Sequence, residues 1–346
     1  MAVLKMRGEE IKTFPRILRD YADHLFAVKG ISPNTVCEYL SDLRTFFRYI
    51  INENSKSPLP LDEFETISIS EIDDEDVKRV RTGDIMRFLV FVGQDKKNST
   101  TTRQRKLSSL RSFFQYAVNR LHIIEVSPVA NVDSPKKGKT LPKYLTVEES
   151  VRLLEAVKSD SYSKTTVRDF AIVTLFLNTG MRLSELVGLN LTSFKPDLSS
   201  VTVVGKGNKE RVIYLNDAAR RAVAEYLRQR LDPRYILTSD KAFFLSKRQQ
   251  RISNKTVQWM VGKYLDLSGL GARGLSVHKL RHTAATLMYQ SGKVDIRVLK
   301  DILGHEQLNT TQIYTHVVSR NLQEAMANNP LADVKIKAPV TEDDEL

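Results

Sequence analysis

The sequence predicts a mainly α-helical protein of two domains, the first all-helical and the second mostly helical with one small antiparallel β-sheet. Three observations carry this reading. The chain has 346 residues, too long for one ordinary domain and comfortable for two. Apolar residues recur at helical spacing along most of its length. One stretch, VTVVGKGNKERVIYL at residues 201–215, instead shows two β-rich runs around a glycine-containing turn, which reads as a hairpin.

In order, Ile11, Phe14, Ile17, Leu18, Tyr21, Leu25 and Phe26 keep a 3.6-residue period. Residues 11–51 therefore read as helices with a break at Gly30–Pro33. Ser32 caps the next helix, and Pro33 takes its first position, where no intrahelical N–H is needed. Leu40, Leu43, Phe46, Phe47 and Ile50 form its apolar stripe. Residues 52–81 are polar and mixed and read as an insertion or mobile loop. A helix at about 82–93 follows, and Ser99 caps another. The inward face of this last helix is Leu107, Leu110, Phe113, Phe114, Ala117 and Leu121. Arg103, Arg105, Lys106 and Arg111 give it a basic face that can meet a phosphate backbone; the plainer reading is a solvated surface. Residues 126–143 are rich in proline and lysine and read as a linker between domains at 11–125 and 144–328. Lys136, Lys137 and Lys139 in that linker are candidates for crossing a duplex.

The second domain opens on Thr146 with Glu149 three residues later, a capping box. Residues 168–190 are helical and apolar, interrupted at Asn178–Gly180 just before Arg182 and Glu185. Lys206 falls near the tip of the hairpin. The helix at 254–268 carries the only tryptophan, Trp259, which reads as core. From Leu275 to His316 the chain holds four of its six histidines: His278, His282, His305 and His316. Ser276 caps a helix running to Gly292, and its first turn points His278 and Arg281 the same way. Asp295 caps a second helix that Gly304 stops, which leaves His305 at a helix end. Asn309 or Thr310 opens a third, carrying Tyr314 and reaching about residue 328. Residues 329–346 end in EDDEL and read as a flexible acidic tail.

Composition narrows the partner. Lys and Arg number 53 against 41 Asp and Glu, a net charge of +12, which favours a polyanion, most simply nucleic acid. One cysteine, Cys37, excludes an internal disulfide framework or a thiol zinc site and fits a reducing, cytoplasmic interior. No apolar run approaches the roughly 18 residues of a membrane span, and the first residues lack the apolar core of a secretion signal.

The motifs exclude several chemistries. HxxRH is not the HExxH zinc pattern, no carboxylate cluster offers to hold Mg²⁺, GKGNKE is not an ATP-binding loop, and no serine elbow is visible. No metal or cofactor is expected. Taken singly, Arg182 reads as a salt-bridge partner of Glu185, Lys206 as a turn lysine, the histidines as structural and Tyr314 as packing. Together they suit metal-free phosphoryl transfer. Two arginines hold the non-bridging oxygens of a phosphodiester and stabilise the charge of its transition state. An imidazole takes the proton of a phenol whose free pKa is near ~10. A lysine protonates the leaving alkoxide.

TGMRLSELVGL, VVGKGNKERVIYL, SVHKLRHTAATLM and LGHEQLNTTQIYTH together resemble the tyrosine recombinase, or phage integrase, family, most closely its bacterial Xer branch. ISPNTVCEYLSDLRTFFRYI, TTTRQRKLSSLRSFFQYAV and LPKYLTVEES are similar to that family's amino-terminal, SAM-like core-binding domain and linker. The resemblance implies Arg182 and Arg281 as phosphate-clamping arginines, Lys206 as general acid for the 5′-oxygen and His278 as acid/base partner. It further implies His305 as a phosphate hydrogen bonder, Tyr314 as nucleophile and Glu185 as the buttress of the first arginine. It implies cutting and rejoining of duplex DNA through a 3′-phosphotyrosine, by a homotetramer, or a heterotetramer with a related recombinase, on two sites, with an accessory protein in some systems. Chromosome-dimer resolution is the leading biological role. A mobile-element integrase, a type IB topoisomerase and an inactive DNA-binding protein are the alternatives.

Overall fold

The computed structural model describes residues 8–136, 143–205, 209–232 and 241–304. The chain divides into two compact units, Met1–Lys139 and Thr140–Leu346, each with its own apolar core.

The regular structure of the first unit's described residues is helical: α1 (Gly8–Lys12), α2 (Arg16–Asp23), α3 (Pro33–Glu53), α4 (Asp74–Arg79), α5 (Thr82–Gln94) and α6 (Thr100–Tyr116). The start of α3 is set locally. Ser32 Oγ accepts the Thr35 N–H at 3.4 Å, and Pro33 follows at the first helical position. Val36, Leu40, Leu43, Phe46 and Phe47 then fall on one stripe and are fully buried. Phe46 meets the edges of Phe47, Phe88 and Phe114 with ring centroids 5.1–6.1 Å apart, a geometry that adds roughly 0.5–1.5 kcal/mol per pair beyond area burial.

Three expectations are corrected here. Residues 52–81 are a packed part of this unit. Phe64, Ile67, Ile69 and Ile72 are buried in the same core as α3 and α5. Arg48 donates to the Ile67 carbonyl at 2.9 Å and pairs with Glu65, which also holds Lys96 at 3.0 Å. Lys106 does not lie on an open basic face. It is 7% exposed, and its ammonium pairs at 3.0 Å with Asp42, itself 1% exposed. Arg105 donates to the same carboxylate at 2.5 Å. Burying an unpaired charge costs several kcal/mol, so this pair ties α6 to α3. Finally, the proline-rich stretch after residue 126 is anchored at its start. Val129 and Val132 are buried, Arg111 donates to the Val132 carbonyl at 2.5 Å and to Ser134 at 3.0 Å, and Gln104 donates to the Pro135 carbonyl at 2.7 Å. Lys136 lies exposed at the end of the described part of that stretch, and Lys137 and Lys139 lie outside the described residues.

The second unit comprises α7 (Val147–Lys158), α8 (Thr166–Thr179), α9 (Leu183–Gly188), β1 (Ser200–Val204), β2 (Glu210–Tyr214), α10 (Asp217–Arg230), α11 (Asn254–Leu267), α12 (Val277–Gln290) and α13 (Ile296–Leu303). The capping box at α7 is present, with Thr146 and Glu149 exchanging bonds of 3.2 and 2.9 Å. From Phe170 to Leu177 helix α8 is apolar but for Thr174, the pattern of a central helix; residues 171–176 are all buried, between α7, α10 and α12. Strands β1 and β2 pair antiparallel with Val201 opposite Ile213 and Val203 opposite Arg211. Trp259 is a further correction. It is 69% exposed, because the buried stripe of α11 is Val257, Met260, Val261, Tyr264 and Leu265, a helical repeat that leaves position 259 outside.

Two glycines fix the corner that matters next. Gly180 ends α8 at φ +62°, and a Cβ there would lie 2.9 Å from Leu303 Cδ2, so α13 packs directly on it. Gly304 ends α13 at φ +62°. Both positions need the left-handed backbone that only glycine adopts without strain.

Asp42→Ala should leave Lys106 buried without its counter-charge and lower stability by about 3–5 kcal/mol. Denaturant unfolding of the variant measures this, and a loss within 1 kcal/mol, on the order of an exposed pair, would contradict the assignment.

Candidate active site

Arg182 sits immediately before α9, and Glu185 occupies the third position of that helix. The Glu185 carboxylate accepts the Arg182 backbone N–H on Oε2 at 2.7 Å and the Arg182 guanidinium on Oε1 at 2.8 Å. Arg211, reaching over from β2, meets it with a two-pronged contact, Nη1 to Oε1 at 2.6 Å and Nη2 to Oε2 at 2.9 Å. Four donors therefore converge on one carboxylate whose side chain is 1% exposed. Burial alone would raise its pKa. The bonds from Arg211 and from the Arg182 backbone and guanidinium outweigh that and hold it below the ordinary glutamate value.

The carboxy-terminal end of α13 completes the arrangement. The last two carbonyls of α13 and that of Gly304, its cap, each receive a guanidinium: Ile302 from Arg211 Nε at 3.3 Å, Leu303 from Arg281 Nη2 at 2.6 Å and Gly304 from Arg182 Nη2 at 2.8 Å. Helix-end carbonyls lack intrahelical partners and carry the negative end of the helix dipole, so they suit cationic donors. Arg281, on α12 and 4% exposed, also donates to the Gly180 carbonyl at 2.7 Å. The turns that end α8 and α13 thus dictate where Arg281 points. A side chain at Gly304 would collide with Arg211, whose guanidinium lies 2.9–3.0 Å from the Cβ position.

Arg182, Arg281 and His278 share the wall of one cavity of about 530 Å³, with Ser184, Asn254, Gln258 and Ser276 around them. His278 lies exposed at its rim, one turn before Arg281, with the His282 ring 4.6 Å away and edge-on. Desolvation at the cavity wall, then the charges of Arg281, Lys279 and Arg182, push the His278 pKa below its ordinary 6.5. The imidazole is therefore neutral at neutral pH and able to accept a proton. Three guanidinium groups against one carboxylate leave a net positive site, matched to an anion.

The structure brings together Arg182, Glu185, His278 and Arg281. Lys206, His305 and Tyr314 lie outside the described residues, although Gly205, next to Lys206, would place a Cβ 3.7 Å from Glu185 Oε1, and Gly304, next to His305, accepts from Arg182. Arg211 is the residue that sequence reasoning passed over. On an alternating strand it reads as a solvent-facing cation, and only the buried carboxylate 26 positions earlier gives it a task. Among the described residues no cluster of three or more His, Cys, Asp or Glu could hold a metal, and no helix is long and apolar enough to cross a membrane.

Residues 143–320 match the phage integrase family, and residues 59–120 match the phage integrase N-terminal SAM-like domain. The chain is 45% identical to tyrosine recombinase XerC of Caldanaerobacter subterraneus subsp. tengcongensis over 325 residues, 93% of this chain and 89% of that one. It is 35% identical to tyrosine recombinase XerC of Thermodesulfovibrio yellowstonii over 310 residues, 89% of this chain and 93% of the relative. In fold it is similar to the XerH site-specific recombinase bound to palindromic difH substrate in a post-cleavage complex, with a TM-score of 0.65 at 20% identity over 94% of this chain and 99% of that one.

An NMR titration of the histidines should place His278 below 6.5, and Lys279→Gln should move it upward by removing a nearby positive charge. A His278 pKa at or above 6.5 in the unaltered chain, or no upward movement in the variant, would contradict the electrostatic account.

Proposed function

The chain belongs to the phage integrase family of tyrosine recombinases, and from that premise we propose how its side chains break and rejoin DNA. It is a site-specific recombinase of the Xer type, and mobile-element integration, type IB relaxation and an inactive site are the less favoured readings. The carrying observation for the chemistry is the convergence of Arg182, Arg281 and a neutral His278 on one cavity beside a buried, doubly arginine-paired Glu185.

In this reading the scissile phosphate sits in that cavity. Arg182 and Arg281 bind its non-bridging oxygens and gain strength as negative charge builds in the pentacoordinate transition state, where preorganised donors contribute most. The Tyr314 hydroxyl oxygen attacks phosphorus, with its proton passing to His278. The bond from phosphorus to the 5′-oxygen breaks, and Lys206 protonates the leaving oxygen. His305 donates to the phosphate. The product is a 3′-phosphotyrosyl bond and a free 5′-hydroxyl, so the phosphodiester energy is kept and no nucleotide cofactor is needed. Rejoining runs the same steps in reverse with a new 5′-hydroxyl.

The partner is duplex DNA. The net charge of +12 and the positive site support this, as does the XerH neighbour described on its difH substrate. Arg103, Arg105, Arg111, Lys136, Lys137 and Lys139 remain the proposed backbone contacts outside the site, with Lys106 withdrawn from that set by its burial. The assembly is a homotetramer, or a heterotetramer with a related recombinase, on two sites, resolving chromosome dimers in the cytoplasm.

Tyr314→Phe removes one oxygen. DNA binding should persist within a few-fold, while covalent protein–DNA adduct on a nicked suicide duplex, read by denaturing gel, should disappear. An adduct formed by the Phe variant would mean another nucleophile. Binding to the specific duplex should also fall steeply on a plot of log affinity against log salt; a flat line would argue against a phosphate-clamping protein.

A further inference from the structure

We propose that Arg211 is a positioning residue for strand cleavage, holding Glu185 so that Arg182 keeps both its aim and its unspent positive charge. The inference rests on the reading of Arg182 as a phosphate clamp and goes beyond it, since Arg211 touches no substrate in that reading.

The argument is one of charge and geometry. If Glu185 faced Arg182 alone, the two would form a neutral pair, and a carboxylate 2.8 Å from the guanidinium would weaken its attraction for a phosphate. Arg211 changes the balance. Its two-pronged contact at 2.6 and 2.9 Å is the stronger of the two pairings, because parallel N–H donors match both carboxylate oxygens. Glu185 is then compensated by Arg211, and Arg182 is oriented by the carboxylate without being neutralised by it. The side chain of Arg211 is 16% exposed and that of Arg182 37%, consistent with one guanidinium serving as support and the other facing the cavity.

Arg211 also joins three segments distant in sequence. It stands on β2 opposite Val203, one pair in from the Val204–Glu210 end of the ladder. It holds Glu185 on α9. Its Nε donates to the Ile302 carbonyl, and its guanidinium fills the space against Gly304, the residue before His305. A lysine here would keep the charge but lose the fork and the Nε donor.

The test uses the full-length chain in single-turnover cleavage of two nicked suicide duplexes, one with an ordinary scissile phosphate and one with a methylphosphonate there, whose neutral centre asks less of a cationic clamp. Arg211→Lys and Arg211→Gln should each bind DNA within about threefold of the unaltered chain. On the phosphate substrate they should form adduct at least about 50-fold more slowly. On the methylphosphonate the deficit should shrink by tenfold or more. Equal deficits on both substrates would assign Arg211 a purely structural role, and cleavage at the unaltered rate would assign it none; either overturns the proposal. Arg211→Lys keeps the charge and is the variant to rely on if Arg211→Gln does not fold. If the unaltered chain forms no tyrosyl adduct on either duplex, the reading of the whole site fails and this inference with it, an outcome distinct from a failure of Arg211 alone.

Discussion

One buried carboxylate organises the catalytic unit. Glu185 is removed from water, at a desolvation cost of several kcal/mol, and that cost is offset only because four N–H donors reach it. Satisfying it fixes α9 against the hairpin, sets the rotamer of Arg182 and holds Arg211 against the end of α13. The same arginines, with Arg281, satisfy the Ile302, Leu303 and Gly304 carbonyls. Site and fold are therefore one network of hydrogen bonds. A change that frees any member leaves a buried charge or a helix end without its partner.

This coupling explains why two glycines fall where they do. Gly180 and Gly304 both adopt left-handed conformations, and each would strike another member of the cluster if it carried a Cβ: Leu303 in one case and Arg211 in the other. The backbone turns bring α8 and α13 close enough for Arg281 to bridge the Gly180 and Leu303 carbonyls. Positive charge is thereby concentrated by short-range geometry, and it adds to desolvation at the cavity wall in lowering the His278 pKa.

Much of this was legible in the residues because the signals are local. Ser32 with Pro33, Ser99, Thr146 with Glu149 and Asp295 mark helix starts by side-chain chemistry within three residues, Gly304 marks a helix end by its backbone, and all do so in the structure. The unread parts depend on partners far away in sequence. Lys106 looked solvent-facing because Asp42 lies 64 positions before it. Residues 52–81 looked loose because Phe64, Ile67, Ile69 and Ile72 follow neither a helical nor a strand period, yet each finds a place in the core. Arg211 finds its carboxylate 26 positions away, and no local pattern signals that pairing. Trp259 is different: the spacing of Val257, Met260, Val261 and Tyr264 places it off the buried stripe, and a large aromatic side chain does not override that position.

The most direct measurement is single-turnover cleavage by Glu185→Gln, which keeps the shape of the side chain while removing its charge and turning one acceptor into a donor that faces a guanidinium. Adduct formation should fall by about a hundredfold or more, the scale of losing a preorganised transition-state donor, while DNA affinity stays within a few-fold. Cleavage within twofold of the unaltered chain would contradict the claim that this carboxylate aims the clamp.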